Sequence, residues 1–320
     1  MRSVTIQKTR CPFLILSSED TKKLRTITLI ALFSDDDLLE TLVLKGGNAL
    51  DIGYGFSSRA SMDLDFSMSQ DFEDIGLTDL EQVRQKLEDV LTRTFIEYGY
   101  QVFEVKIKAK PKQQMAENQD FWAGYEVNFK IIEPEKYEAH KDNLNWLSNK
   151  AIAVTGTKKN ITIDLGRFEY TGSTKMIDNI EGFEGYLVPI YTPTLIVLEK
   201  LRAICQQMDD YWTRIGKEVG SKPRPRDFYD IYTILESPAV EVNFEDPETL
   251  THLEECFKAK RVPISFLSNM SETREFHRRD EPKLRETIQV KENYRGFDFY
   301  FDYVLAIIKQ HDLLSLEEAR

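Results

Sequence analysis

Cysteine is scarce in this chain, with three residues among 320 positions, Cys11, Cys205 and Cys256. Their number is odd and their spacing is wide, which argues against a disulfide framework and against a cysteine-based metal site. The four histidines are equally dispersed, so a zinc site is not expected either. We therefore expect a protein of a reduced, cytoplasmic compartment.

Long apolar runs are also missing. The early run from Pro12 to Leu16 is too short for the hydrophobic region of a signal peptide, and acidic residues follow it. Nothing in the sequence approaches the roughly 20 apolar residues that a membrane-spanning helix needs. The sequence gives no reason to expect a membrane partner.

The sequence also lacks an excess of positive charge. The formal net charge is −12, which argues against general coating of nucleic acid. Basic residues nevertheless cluster in four places: Lys106 to Lys112, Lys222 to Arg226, Lys258 to Arg261, and His277 to Arg285. Each cluster could be solvated surface or part of a local groove, and the sequence leaves both open.

A glycine turn stands out among what is present. Thr41 to Leu44 is typical of a buried strand, Lys45-Gly46-Gly47 predicts a turn with bare backbone N–H groups, and Asn48 to Tyr54 predicts a short helix. Backbone N–H groups at such a position are suited to binding an anion.

An acidic pair follows this turn. Met62 to Phe66 alternates apolar and acidic residues, so a strand would direct Asp63 and Asp65 to the same face. Two adjacent carboxylates repel each other, and a hard divalent cation such as Mg²⁺, with Mn²⁺ as an alternative, would relieve the repulsion. The competing interpretation is an ordinary turn followed by an exposed strand face.

The two motifs together resemble the first signature of the AbiEii/AbiGii-type nucleotidyltransferases. The matching residues are Lys-Gly-Gly-x-Ala-Leu from Lys45 and Arg-x-Ser-x-Asp-Leu-Asp-Phe from Arg59. This family provides the toxins of type IV abortive-infection toxin–antitoxin systems and belongs to the polymerase-β-like superfamily. The resemblance implies that Gly46, Gly47 and Ser61 cradle phosphates, that Lys45 and Arg59 assist them, and that Asp63 and Asp65 bind the metal.

The superfamily completes its metal pair with a third carboxylate on a neighbouring strand. Asp164, inside the predicted strand from Ile161 to Gly166, is our candidate. Glu126, inside the predicted strand from Gly124 to Ile132, is the alternative. A lone acidic residue on a strand can also be simple surface.

A lysine and two acids form a second constellation. On the predicted helix from Leu195 to Met208, Lys200 falls on the otherwise apolar side, where it must reach solvent or meet an anion. A second helix, starting at Pro225, places Asp227 and Asp230 on one face with Ile231. The residues by themselves allow an ordered polar pair, an active-site wall or, for Asp227, a helix cap.

These two helices resemble the later family signatures. Glu199-Lys200-x-x-Ala203 and Arg226-Asp227-x-x-Asp230 are the matching residues, and the resemblance covers about Leu42 to Leu235. It implies that Lys200 contacts a triphosphate, that Asp227 is a required acid, and that Arg226 and Asp230 support them. The chain departs from the signature at Asn48, where Thr or Ser is commoner.

The predicted architecture is α/β (α+β): a mixed sheet flanked by helices, as in polymerase-β-like nucleotidyltransferases, followed by a helical C-terminal domain. We place the catalytic domain at residues 1–190 and the helical domain at 191–320, with the latter contributing Lys200 and Asp227 to the cleft. Other predicted elements are a helix capped by Thr78, a single helix from Glu135 to Asn149, and a core helix from Phe297 to Gln310.

The function expected from the resemblance is transfer of a nucleoside monophosphate from an NTP to a hydroxyl, with release of pyrophosphate. It further implies an RNA acceptor, such as the 3′ end of tRNA, and a cognate antitoxin protein. A protein or small-molecule hydroxyl is an alternative acceptor. A non-catalytic nucleotide-binding module is the alternative of a different class.

Overall fold

The computed structural model describes residues 18–56, 63–111, 120–178, 185–218, 220–288 and 293–313. Seven strands in these residues form one sheet: β1 (Leu42–Leu44), β2 (Leu64–Met68), β3 (Gln101–Lys110), β4 (Gly124–Ile132), β5 (Ile161–Gly166), β6 (Thr174–Ile177) and β7 (Val188–Tyr191). Their order across the sheet is β3-β4-β5-β2-β1-β7-β6. The pairs β2–β5 and β1–β7 are parallel and the other pairs are antiparallel, so the predicted mixed sheet is confirmed.

Helices cover the sheet and make up the described regular structure after β7. In the first half they are α1 (Ser18–Phe33), α2 (Asp36–Thr41), α3 (Gly46–Asn48), α4 (Leu80–Glu97), α5 (Pro134–His140) and α6 (Leu144–Lys150). In the second half they are α7 (Pro193–Cys205), α8 (Asp209–Arg214), α9 (Pro225–Leu235), α10 (Pro247–Ala259), α11 (Arg274–Arg278), α12 (Glu281–Thr287) and α13 (Phe297–Gln310). Short 3₁₀ turns occupy Phe72–Ile75, Ile264–Leu267 and Met270–Thr273.

Capping residues set several helix boundaries. The Asp35 side chain accepts a hydrogen bond from the Leu38 N–H (3.1 Å) at the start of α2. Asp79, and not Thr78, caps α4, because its carboxylate accepts from the Gln82 N–H (2.9 Å). The predicted single helix from Glu135 to Asn149 is wrong, since Asn143 caps a separate helix, α6, through the Trp146 N–H (3.0 Å).

Two further elements differ from their predictions. The helix expected from Asn48 to Tyr54 begins earlier, as α3, and continues as a π-helical turn from Ala49 to Gly53. Strand β2 begins at Leu64, so Asp63 lies just before the strand and Asp65 lies within it.

The core is continuous between the sheet and the C-terminal helices. Helix α4 packs against α1 and β3, while α7 packs against α9 and α10. The predicted aromatic helix α13 is a core element, in which Phe297, Tyr300 and Phe301 are buried against α9. None of the described helices has the length and apolarity needed to cross a bilayer.

Candidate active site

A cleft of about 1020 Å³ lies between the sheet and the C-terminal helices. Eight of the residues predicted for the site contribute to its wall: Lys45, Gly46, Gly47, Asp65, Asp164, Lys200, Arg226 and Asp227. Asp63 and Asp230 are adjacent to members of this set but are not part of the wall. Arg59 and Ser61 lie outside the described residues, so their assignment stays a prediction. The two constellations of the sequence therefore meet in one cleft.

The glycine turn is held directly against strand β2. The Lys45 N–H donates to the Asp65 carbonyl (3.0 Å), and the Asn48 side-chain amide donates to the Asp63 carbonyl (2.6 Å). Arg25 fixes the amide by donating to its oxygen (2.8 Å). Gly46 has φ of +64°, and a Cβ at this position would stand 3.8 Å from Asp65 Oδ2. The turn and the carboxylate therefore face each other.

Asp65 and Asp164 are neighbours in the parallel register of β2 and β5. Burial raises the pKa of Asp65, and the negative charges of Asp164, Glu169 and Asp63 raise it further against the opposing effect of Lys45. The neighbouring carboxylates thus disfavour the ionised form of Asp65.

Lysine ammonium groups offset part of the negative charge of these carboxylates. Lys158 binds Asp63 (2.6 Å), while Lys110 binds Asp164 and also Glu126 (2.6 Å). The negative neighbours raise the pKa of Lys110 above its ordinary value, although burial opposes them. Of the two candidates for the third carboxylate, Asp164 lines the cleft, whereas Glu126 stands opposite it on β4 outside the cleft wall.

The donor chemistry of this cluster fits a hard divalent cation. Its potential ligands are carboxylate oxygens, and a cation would offset the negative charges of Asp164, Glu169 and Asp63 that surround Asp65. As the side chains stand, no three His, Cys, Asp or Glu residues in the described ranges form an assembled metal site. Asp63 and Asp164 would have to turn from their lysines to join Asp65 around one ion.

Glu169 is a site residue that the sequence reasoning missed. Its carboxylate is buried, binds the Lys45 ammonium and the Ser67 hydroxyl, and lies 3.9 Å from Lys260 Nζ. Burial alone would raise the pKa of Glu169, but Lys45 and Lys260 outweigh it and hold that pKa at about 2. Burial by itself would lower the pKa of Lys45, but the negative charge of Glu169 outweighs burial and raises that pKa. The pair fixes Lys45 beside the glycine turn.

A signal for Glu169 was present in the sequence, although a weak one. Gly166 ends β5, and a Cβ there would come within 2.6 Å of the Glu169 carboxylate. Only the absence of a side chain at this position lets the carboxylate fold back into the cleft. A glycine three residues before an acid is too common to be diagnostic by itself.

Lys200 lies between two acids on the opposite wall. Its ammonium donates to Asp227 Oδ1 (2.9 Å) and to Asp230 Oδ2 (2.7 Å). Burial raises the pKa of Asp227, but Lys200 and Arg224 more than compensate and hold it below its ordinary value. The ordered polar pair allowed by the sequence is therefore present, at the cleft surface. Contact between Lys200 and a triphosphate stays a prediction.

Three of the four basic clusters reach the cleft. Its wall includes Lys110 from the first, Lys222, Arg224 and Arg226 from the second, and Lys260 from the third. The fourth cluster lies at a separate surface depression formed by Arg278, Arg279, Arg285 and their neighbours. Positive charge is thus concentrated at the cleft of an otherwise acidic protein.

Comparison with known proteins identifies the family of this chain. The family model for the "Nucleotidyl transferase AbiEii toxin, Type IV TA system" matches residues 28–303. No curated protein sequence matches the chain.

Two solved structures resemble the chain at low similarity. One is an antigenic nucleotidyltransferase-like protein from Paracoccidioides brasiliensis, with 16% identity, coverage of 88% of this chain and 99% of that chain, and a TM-score of 0.39. The other is MenT4, a nucleotidyltransferase toxin from Mycobacterium tuberculosis H37Rv, with 12% identity, coverage of 86% and 95%, and a TM-score of 0.36. The assignment to a family depends on the family match, not on these structures.

Proposed function

The chain belongs to the AbiEii nucleotidyl transferase toxin family of type IV toxin–antitoxin systems, and from this premise we propose a Mg²⁺-dependent transfer of NMP to RNA. Membership makes the protein a nucleotidyltransferase, with an NTP as substrate and an antitoxin as partner. The proposal adds the metal, the acceptor and the roles of individual residues. We also propose that it acts in the cytoplasm, where NTPs and tRNA are found.

The pairing of Asp65 with Asp164 opposite the glycine turn is the observation that carries the proposal. Asp63, Asp65 and Asp164 would hold Mg²⁺, with Mn²⁺ as a possible substitute. The ion would neutralise phosphate charge and promote ionisation of the attacking hydroxyl. Phosphoryl transfer depends mainly on placement and charge, and the position of Asp65 opposite Gly46 supports this role for the carboxylates.

The walls of the cleft would position the nucleotide. Gly46 and Gly47 offer backbone N–H groups at the start of α3, and Lys45 is fixed beside them by Glu169. Lys200 and Arg226 would bring positive charge from the opposite wall, with Asp227 and Asp230 holding Lys200 in place. Arg59 and Ser61 are retained as phosphate-binding candidates from the sequence alone.

The basic residues at the cleft support a polyanionic acceptor. An acidic protein would repel RNA over most of its surface, while the exposed Lys222 and Arg226 favour approach at the cleft. The acceptor we propose is the 3′ end of tRNA.

The test is label transfer by the purified protein. Each NTP, labelled at the α-phosphate, is incubated in turn with Mg²⁺ and total tRNA. Label on tRNA is expected with the unchanged protein and with Asp142→Ala, a control at an exposed position, and is expected to vanish with Asp65→Ala. Label on protein would replace the RNA acceptor by a protein hydroxyl. Nucleotide binding without any transfer would refute catalysis.

A further inference from the structure

Two tryptophans lie together in the wall of the cleft. Trp122 is half-buried just before β4, and Trp212, on α8, is 7% exposed and belongs to the core. Their ring centroids are 5.2 Å apart, and the ring planes are inclined by 56°. Both residues line the same cleft as Asp65 and Asp164. Trp122 therefore contributes to the cleft wall and packs against a buried neighbour.

The backbone on each side of Trp122 is fixed by hydrogen bonds. The Lys260 ammonium donates to the carbonyls of Phe121 (3.2 Å) and Arg167 (2.9 Å), and the Arg167 N–H donates to the Ala123 carbonyl (3.0 Å). Lys260 is 6% exposed, and burial lowers its pKa to about 8 despite the negative charge of Glu169. A buried ammonium is costly, and its visible effect here is to hold the segment that carries Trp122.

A basic segment, residues 217–226, lies next to the Trp122 ring. Residues 217–226 contain four basic side chains and one acidic side chain, in a chain whose net charge is −12. The Lys217 ammonium lies over the Trp122 ring, 3.5 Å from its centroid, and so covers one face of the indole. Burial lowers the pKa of Lys217. The Lys222 N–H donates to Gln207 Oε1 (2.8 Å), which ties this segment to the end of α7.

We propose that Trp122 is the stacking platform for a nucleobase that enters the cleft. An aromatic face beside a basic segment is the combination that proteins use to bind single-stranded nucleic acid, since every base has a π-face and every nucleotide a phosphate. Trp122 precedes Glu126 by four residues, and Glu126 stands opposite Asp164. Four residues at the strand rise put the Cα atom of Trp122 at most roughly 13 Å from the Cα atom of Glu126. The inference depends on the proposed function, because it assigns one substrate base to that site.

The base belongs either to the NTP or to the acceptor RNA, and binding measurements separate these sources. Tryptophan fluorescence is followed in the Asp65→Ala protein, so that no turnover occurs, during titration with each NTP alone and with a short single-stranded RNA alone. The chain has three tryptophans. Trp146, which stacks on His140 outside the cleft, serves as the matched control.

Quenching that saturates is expected, and Trp122→Ala should reduce it to at most the response of Trp212, which lines the same cleft. Affinities of all variants are measured by isothermal titration calorimetry, and Trp122→Ala should weaken binding roughly 5- to 150-fold. Trp122→Phe should lose less affinity, since an aromatic face remains, while Trp146→Phe should leave affinity unchanged. A loss confined to the NTP titration assigns the base to the NTP, and a loss confined to the RNA titration assigns it to the acceptor. Circular dichroism and thermal unfolding verify that each variant is folded.

Unchanged affinities for both ligands in folded Trp122→Ala and Trp122→Phe would overturn the stacking role. The label-transfer assay with the unchanged protein keeps this failure separate from failure of the proposed function. If the unchanged protein transfers label and the Trp122 variants keep their affinities, only the stacking role is rejected. If binding depends on Trp122 but the unchanged protein transfers no label, the proposed catalysis is rejected.

Discussion

The ion pair between Lys45 and Glu169 gives a sharp prediction about what holds the glycine turn in place. Glu169→Ala removes a buried carboxylate that binds Lys45 and Ser67, and leaves the Lys45 ammonium in the cleft without this partner. We expect lower stability and a raised KM for the NTP, because Lys45 can then leave the turn.

The expected loss in the free energy of unfolding follows from the burial of the two side chains. The side chains of Lys45 and Glu169 are 20% and 10% exposed, and removal of one member of a buried pair costs about 3–5 kcal/mol. Asp65 remains close enough to raise the pKa of Lys45, so we expect the lower end of that range, about 3 kcal/mol. Glu169→Gln keeps a hydrogen-bond acceptor and should cost about 1–2 kcal/mol.

The assay is urea-induced unfolding, compared among variants with equal m-values. The double variant Lys45→Met/Glu169→Leu should be less destabilised than the sum of Lys45→Met and Glu169→Leu. Each single variant leaves one member of the pair buried without its partner, whereas the double variant removes both charges. Glu255→Ala is the matched control, since its partner Lys258 is 73% exposed, and it should cost about 0–1 kcal/mol. Additive losses in the double variant would refute the reasoning.

Two further predictions concern the C-terminal wall. Lys200→Met should cost about 3–5 kcal/mol in urea unfolding, because it leaves the buried carboxylates of Asp227 and Asp230 facing each other, and a loss below about 1 kcal/mol would contradict the pairing. The pKa of His277 is lowered by burial to about 4. Between pH 6.5 and 4 the unfolded chain therefore binds a proton at this residue that the folded chain does not. The free energy of unfolding should fall by up to about 3 kcal/mol as the pH is lowered through this window. His277→Leu should flatten the dependence, and an unchanged slope would show that another group is responsible.

The sequence predicts elements well where a local pattern decides them. Alternation located β4 and β5, and an aromatic-rich segment located α13. The position of Lys200 on the apolar side of its helix indicated a charge that must reach solvent or meet an anion. The same local reasoning merged α5 with α6, because it did not recognise Asn143 as a cap. It also overlooked β6 and β7, which are short strands of four residues.

Contacts between distant residues were beyond such reasoning. Glu169 meets Lys45 across 124 positions, and its loop has no periodic pattern that would mark it. Trp122 approaches Trp212 in the same way, through the packing of the sheet against the C-terminal helices. Candidate site residues could be predicted where a sequence signature contains them, whereas residues such as Glu169 and Trp122, which only the fold brings to the cleft, could not.

The parallel pairing of β1 with β7 has a consequence for dividing the molecule. Strand β7 spans the domain boundary between residues 190 and 191 that we placed from the sequence, yet it pairs with the strand that leads into the glycine turn. A fragment ending before Val188 would leave β1 with an uncovered, apolar edge, which is a template for aggregation. Split-protein designs should therefore cut the chain elsewhere, since the strand between the halves completes the catalytic sheet and leads directly into the helix that carries Lys200.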